Sequence, residues 1–171
     1  MCGRDILHGE RVTLRPLVPA DLPRLREILA TPSVAEWWGT GTPEAEAADL
    51  LDPGAAAYAI EVEGTVVGSI QVSEEATPDY RHASIDLFVD PAAQGRGHGS
   101  DAIRTVARSL FRRGHHRLTI DPAVGNGRAI RVYEQLGFRP VGVMRAYERG
   151  RDGVWHDGLL MDMLAGELRE P

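Results

Sequence analysis

Apolar residues along this chain switch between a period of two and a period near that of a helix, and each switch marks an element. From Arg11 to Leu17 apolar and polar positions alternate, which predicts a first strand after a short polar leader, Met1 to Gly9. Leu22, Leu25, Ile28 and Leu29 then recur at helical spacing, with Asp21 as the expected N-cap, Pro23 in the first turn and Thr31-Pro32 ending the helix. Thr42-Pro43 opens a second helix running to Leu51, whose alanines and carboxylates read as a solvated face. Tyr58 to Val62 and Thr65 to Val72 make a hairpin about Glu63-Gly64. Ile85, Leu87 and Val89 alternate with Asp86 and Phe88 as a strand that Asp90-Pro91 stops. Ala102, Ile103, Val106, Ala107, Leu110 and Phe111 form a helical stripe, Arg117 to Asp121 a short strand, and Gly127 to Leu136 a helix closed by Gly137. Arg139 to Glu148 and Val154 to Met163 pair as a closing hairpin across the loop Arg149 to Gly153. No repeat, linker or low-complexity stretch interrupts this order.

The turn between the Asp86 strand and the following helix carries chemistry. Gln94-Gly95-Arg96-Gly97-His98-Gly99-Ser100 lets backbone N–H groups converge without Cβ atoms in the way, and a helix start adds unpaired donors and partial positive charge, so an anion belongs there. No Gly-Lys-Ser/Thr follows, as a Walker loop requires, and the glycine spacing is not that of the dinucleotide fingerprint. A second string, Asn126-Gly-Arg128-Ala129-Ile-Arg-Val-Tyr133-Glu-Gln-Leu-Gly137-Phe138, lies on the next helix. The adjacent His115-His116 stand at a helix end with no second cluster at ligand spacing, and no metal site is expected.

Composition narrows the class. With 171 residues the chain is expected to form one domain, residues 1–171, with a real core. No apolar run approaches the roughly 20 residues needed to cross a bilayer and no basic-then-apolar leader is present, so a soluble, cytoplasmic protein is expected. Cys2, the only cysteine, allows neither an internal disulfide nor a cysteine cage. A formal net charge of −6 argues against a nucleic-acid surface and suits a cationic small molecule. All 19 basic side chains are Arg, which reads as the codon bias of a GC-rich bacterial genome.

Gln94 to Gly99 fits Gln/Arg-x-x-Gly-x-Gly/Ala, and the second string fits Asn-x-x-Ala-x-x-x-Tyr-x-x-x-Gly-Phe at every position. At this separation the two resemble the GCN5-related N-acetyltransferases (GNAT family), and the resemblance covers almost the whole chain. It implies an α/β (α+β) fold with a mixed, mostly antiparallel sheet of about seven strands and about four helices. It implies acetyl-CoA as cofactor, its diphosphate on the amides of Gln94 to Ser100 and its pantetheine arm beside Asn126, with Arg128 and Ala129 also binding the cofactor. By the same resemblance, backbone amides near Phe88 and Val89 meet the acetyl oxygen where strands splay, and Tyr133 protonates the departing sulfur. Direct attack by an amine is the simpler route, because no covalent nucleophile is evident.

Within that family the string Glu36-Trp37-Trp38-Gly39 is similar to a segment of the aminoglycoside 6'-N-acetyltransferases, and Asp86 and Asp121 match acidic positions of those enzymes. The resemblance makes Asp86 the group that holds the ammonium and takes its proton, directly or through water, and Asp121 an anchor for another ammonium or, nearly as well, a loop cap. Adjacent tryptophans cannot both face one core from a regular element, so Trp37 and Trp38 either wall a substrate groove or make a packed corner with one exposed ring. Glu74, Glu75 and Asp79 either solubilise their loop or, with Asp86, form a negative rim for a polycation. The expected function is acetyl transfer to the 6'-amine of an aminoglycoside, by a monomer or homodimer. A protein N-terminus, a polyamine or a hydroxylysine stays open as acceptor, as does a non-catalytic acyl-CoA sensor.

Overall fold

The computed structural model describes residues 5–39, 41–54 and 56–171. Cys2 and the first four residues of the expected leader lie outside them. The strands are β1 (Leu7–His8), β2 (Thr13–Pro16), β3 (Ala56–Val62), β4 (Thr65–Glu75), β5 (His82–Val89), β6 (Arg117–Ile120), β7 (Arg139–Arg149) and β8 (Trp155–Leu164). The helices are α1 (Leu22–Leu29), α2 (Pro32–Ala35), α3 (Pro43–Asp49), α4 (His98–Arg112) and α5 (Gly127–Leu136). All eight strands join one sheet in the order β1-β2-β3-β4-β5-β6-β8-β7, antiparallel at every pair except β5–β6. No helix among the described residues is long and apolar enough to cross a membrane.

The seven expected strands and four expected helices are all present, and two short elements join them. Leu7–His8 pairs with Leu14 and Thr13 because the Gly9 N–H bonds the Val12 carbonyl at 2.9 Å and turns the chain back. Pro32–Ala35 makes one helical turn, with Pro32 at its first position. Asp21 stands at the N-cap position of α1 as expected, but its side chain makes no capping bond to the helix. Its carboxylate accepts the Val18 N–H at 3.0 Å and both arms of the Arg15 guanidinium at 2.7 and 2.8 Å, so it pins the turn before the helix.

β3 and β4 are buried on both faces, which is why Ala57 to Ile60 and Val67 to Ile70 read as near-continuous runs. On one face the sheet packs Leu14, Ile60, Ile70 and Ile85 against Ile103, Val106 and Leu110 of α4, each side chain worth roughly 1.5–3 kcal/mol when fully buried. On the other, Leu25, Ile28 and Leu29 of α1 meet Ala47, Leu50, Ala57 and Phe88. Gly68 is required where β4 crosses β5, since a Cβ there would lie 2.1 Å from the Phe88 carbonyl oxygen.

Three features of this frame aim the functional residues. β5 and β6 pair only at Ala83 with Leu118 and Ser84 with Thr119, so from Ile85 onward the two strands part and leave one edge of β5 open. Asp101, in the first turn of α4 and 3% exposed, accepts the N–H groups of Glu10, Arg11 and Val12 at 3.2, 2.7 and 3.0 Å, which locks the start of α4 to the chain entering β2. In β7 the register slips between Met144 and Glu148, where Ala146 adopts φ +49°, a left-handed conformation costing a non-glycine residue about 1–2 kcal/mol. The Ala146 N–H donates to Asp157 of β8 at 2.8 Å, and that bond holds the bulge.

Candidate active site

The parting of β5 from β6 opens into a cavity of about 1270 Å³ reaching from the glycine turn after β5 to the β7 bulge. One end is made of backbone. Asp90 accepts the Ala92 N–H at 3.0 Å and is paired with Arg24 of α1, so the chain enters the turn fixed. Gly95 and Gly97 hold φ +76° and +80°, conformations open to glycine, and Gly97 is the residue before α4. The first bond of α4 runs from the Asp101 N–H to the Gly97 carbonyl at 3.0 Å, so the N–H groups of His98, Gly99 and Ser100 precede the helical ladder and face the cavity end as donors. Gln94 is tied on both sides, donating to the Val89 carbonyl at 2.8 Å and accepting from Arg128 at 2.9 Å. This cradle of amides at a helix start fits a diphosphate. Gln94, Gly95, Gly97, His98, Gly99 and Ser100 all line it, whereas Arg96 is exposed and outside the lining.

The second string lies beside the cradle. Asn126 caps α5, its side-chain oxygen accepting the Ala129 N–H at 3.2 Å, and Arg128, Ala129 and Tyr133 line the same wall. The Tyr133 ring packs edge-on to Phe138 with centroids 6.2 Å apart. Burial, then the charges of Asp86 and Asp121, push the Tyr133 hydroxyl pKa up, so it keeps its proton throughout the working range. On β5, Phe88 and Val89 divide their work. The Asp90 N–H bonds the Val67 carbonyl at 2.7 Å, and the alternation of an antiparallel ladder therefore turns the Phe88 N–H toward β4 and the Val89 N–H toward the open edge. Of the two expected amides the ladder thus turns that of Val89 to the open edge, while the Phe88 ring is buried beside Trp38.

The other end is made of side chains. Asp86 of β5, Asp121 after β6, and Tyr147 and Glu148 of β7 all line it. The carboxylate of Asp86 is open to the cavity but deeply set. Burial first, and then the charges of Asp121 and Glu148, push its pKa up to about 7 against the pull of the Leu87 N–H, which donates at 2.9 Å. Burial and Asp121 likewise raise Glu148. The Tyr147 hydroxyl donates to Asp121. Across the cavity, Glu46 of α3 is 8% exposed and accepts the Gly41 N–H at 2.9 Å and the Arg151 guanidinium at 2.6 Å, which ties the β7–β8 loop over the opening.

The two tryptophans split between the two readings of their string. Trp38 packs edge-on to Phe88 at 4.8 Å, as a corner, while Trp37, 39% exposed, spans the cleft with its ring against Gly125, where a Cβ would sit 3.4 Å away. Glu74 and Asp79 require correction as acceptor residues. Glu74 lies near the far end of β4, paired with Arg113 at 2.7 Å and with buried His115 at 2.7 Å. Burial draws its pKa up, but those two partners outweigh it and hold it below the usual carboxylate range. Asp79 stands on the single turn Pro78–Tyr80, exposed, and neither residue lines the cavity. Tyr147, Glu148, Glu46 and Arg151 were not singled out from sequence, and only an acidic residue beside a tyrosine late in a strand could have drawn notice.

A comparison with protein families decides the class: the pattern of the Acetyltransferase (GNAT) family matches residues 22–138, more than half of the chain. The chain belongs to the GNAT family. As a GNAT enzyme it uses acetyl-CoA. Among curated proteins it is 32% identical to the N-alpha-acetyltransferase RimI of Mycobacterium tuberculosis over 143 residues, covering 82% of this chain and 86% of that protein. It is 29% identical over 158 residues to an aminoglycoside N(6')-acetyltransferase type 1 of Klebsiella pneumoniae, covering 80% of this chain and 78% of the relative. Among solved structures, Mycobacterium smegmatis RimJ in complex with CoA-disulfide superposes with a TM-score of 0.83 at 24% identity, over 97% of this chain and 90% of that one, a likeness of fold.

Proposed function

We propose that this GNAT domain, residues 1–171, transfers acetyl from acetyl-CoA to a primary amine of a polycationic small molecule, with the 6'-amine of an aminoglycoside as the favoured acceptor. The observation that carries the reading is the group of three carboxylates, Asp86, Asp121 and Glu148, on one wall of the cavity with no arginine or histidine ion-paired to them among the described residues. Negative charge held deep and unneutralised is costly by itself, and a cation entering the cavity relieves it.

Bound acetyl-CoA supplies a thioester acyl group activated for direct attack by an amine. The chain's own residues do the rest. A primary amine with a pKa near 10 arrives as ammonium and must lose a proton before it can attack. Asp86, with its pKa pushed up to about 7, is far better matched to that proton than an ordinary carboxylate near 3.9. The Val89 N–H on the open edge of β5 offers a donor for the developing oxyanion. Tyr133, held neutral, carries the proton for the leaving group. Trp37 over Gly125 gives the acceptor a flat wall, backed by the corner that Trp38 makes with Phe88.

Thiol release from acetyl-CoA, followed with kanamycin, spermidine and an alanyl peptide at equal concentration, tests the acceptor. The aminoglycoside should give the highest kcat/KM, falling as salt is raised. A peptide preferred over both polycations would overturn the reading in favour of N-terminal acetylation, the second reading, which the similarity to RimI favours.

A further inference from the structure

Side chains alternate along a regular strand, so Tyr147 and Glu148 ought to face opposite sides of the sheet, yet both line the cavity. The bulge between Met144 and Glu148 breaks the alternation, and it is maintained at the cost of a left-handed Ala146 whose N–H is held by Asp157. What this arrangement achieves is one contact. The Tyr147 hydroxyl is brought across from the sheet edge to Asp121, 26 residues earlier in the chain, which faces Asp86 in the cavity. The sheet edge thus reaches back to the one carboxylate whose charge acts on Asp86 most strongly.

We infer that Tyr147 is a positioning residue that divides the work of the two carboxylates: by donating its hydroxyl to Asp121 it fixes that carboxylate in place as the anchor for the acceptor's ammonium and leaves proton exchange to Asp86. The inference rests on the reading of Asp86 as base. In the step concerned, the acceptor's ammonium N–H breaks, its proton passes to the Asp86 carboxylate, and the nitrogen keeps the electron pair with which it attacks. The charge of Asp121 bears on Asp86, so where the Asp121 carboxylate is held matters to the proton on Asp86. A donor committed to Asp121 holds that charge in one place.

The groups facing the pair come from every element around it. Tyr133 approaches from α5, and Glu148 sits beside Tyr147 on β7. Across the cavity stand Glu36, Asp49 and the Arg151-paired Glu46, with His98 and Arg128 at the cofactor end. Tyr147 is itself suited to be a lasting donor. Its bond to Asp121 leads, ahead of burial and the neighbouring charges, in pushing its pKa up to about 12, so the hydroxyl stays protonated wherever the enzyme works.

Tyr147→Phe keeps the ring and removes the donor. The test is the pH dependence of kcat/KM together with a carboxyl ¹³C titration of Asp86, the latter needing no acceptor at all. Losing the donor frees the Asp121 carboxylate to move relative to Asp86, so the Asp86 titration and the acid limb of kcat/KM should shift together, by roughly half a unit to one unit. Above the limb the variant should recover to within about threefold of the parent, since the catalytic groups themselves are intact. A purely structural tyrosine would instead lower kcat/KM equally at every pH. An unshifted titration overturns the inference, whatever acceptor the enzyme proves to use. A shifted titration with an unshifted kinetic limb overturns the part that rests on Asp86 as base, and leaves Tyr147 holding a pair that does not exchange the substrate's proton.

Discussion

The two ends of the cavity are built on opposite principles. The end proposed for the cofactor comes from residues close in sequence, Asp90 to Ser100 with the start of α5, and it presents backbone N–H groups whose directions are set by glycine dihedrals and a helix start. The end proposed for the acceptor is assembled from β5, the end of β6, a bulge in β7 and α3, and it presents carboxylates and aromatic rings. Backbone recognition ties the cofactor to the fold itself and tolerates little variation beyond glycine. Side-chain recognition leaves the scaffold alone, so the acceptor can change when a few residues change. On this comparison the largest effect comes from the residue where the two ends meet. Asp86→Asn should lower kcat/KM by about 10²–10⁴ while leaving acetyl-CoA affinity near that of the parent, as measured by calorimetry. The same change should raise thermal stability at alkaline pH. A carboxyl whose pKa is about 7 in the folded state and near 3.9 unfolded costs nothing below the lower value; its cost grows as pH rises between the two and is complete above 7. The difference in Tm between variant and parent should therefore widen from pH 5 to pH 8. A constant difference would mean that Asp86 is not held neutral by its surroundings.

The same contrast governs what could be read in the letters. β5, the turn, α4 and α5 are local: alternation at Ile85 to Val89, three glycines and a helical stripe specify them without reference to the rest of the chain. The place of Asp86 on the cavity wall was legible because it rides on that strand, and the open edge beside Val89 because the family resemblance carries it. The acceptor end depends on contacts across large sequence separations. The pairing of Glu46 with Arg151 joins residues 105 apart, and nothing in the alanine-rich run Pro43–Asp49 distinguishes Glu46, which is buried, from exposed Glu44. The bulge that delivers Tyr147 is equally silent, since it falls at an alanine rather than a glycine. Glu74 misled for the complementary reason. A loop-flanking carboxylate looks free until Arg113 and His115, some 40 residues later, are seen to claim it.

A backbone change sharpens the comparison at the other end. Gly97 holds φ +80°, and a Cβ there would find its nearest neighbours, atoms of Arg11, at 3.7 Å, so the space is open and the dihedral alone resists a side chain. Gly97→Ala should cost about 1–2 kcal/mol in holding the turn, equivalent to a roughly 5- to 30-fold rise in the Kd for acetyl-CoA. With the donor saturating, KM for the acceptor should hardly move. A comparable loss on both sides would mean that the turn and the carboxylate wall are one mechanical unit, and the division drawn above would fail.

The smallest effect is expected at the Arg151–Glu46 pair, which belongs to the acceptor end alone. Arg151 is the cation tied across the opening, and Arg151→Gln leaves Glu46 with the Gly41 N–H while making the cavity more negative by one charge. A charge at that remove, partly screened, is worth under about 1 kcal/mol, so KM for a polycationic acceptor should fall roughly threefold and KM for a neutral-tailed monoamine should stay put. Losing a partner for a buried carboxylate also destabilises, and a lower Tm is expected alongside the lower KM. The two readouts separate the roles of the arginine: a Tm that drops without any preference emerging between polycation and monoamine makes Arg151 a fastening of the loop to α3, whereas a selective gain for the polycation shows that the arginine competes with the substrate for the same negative field.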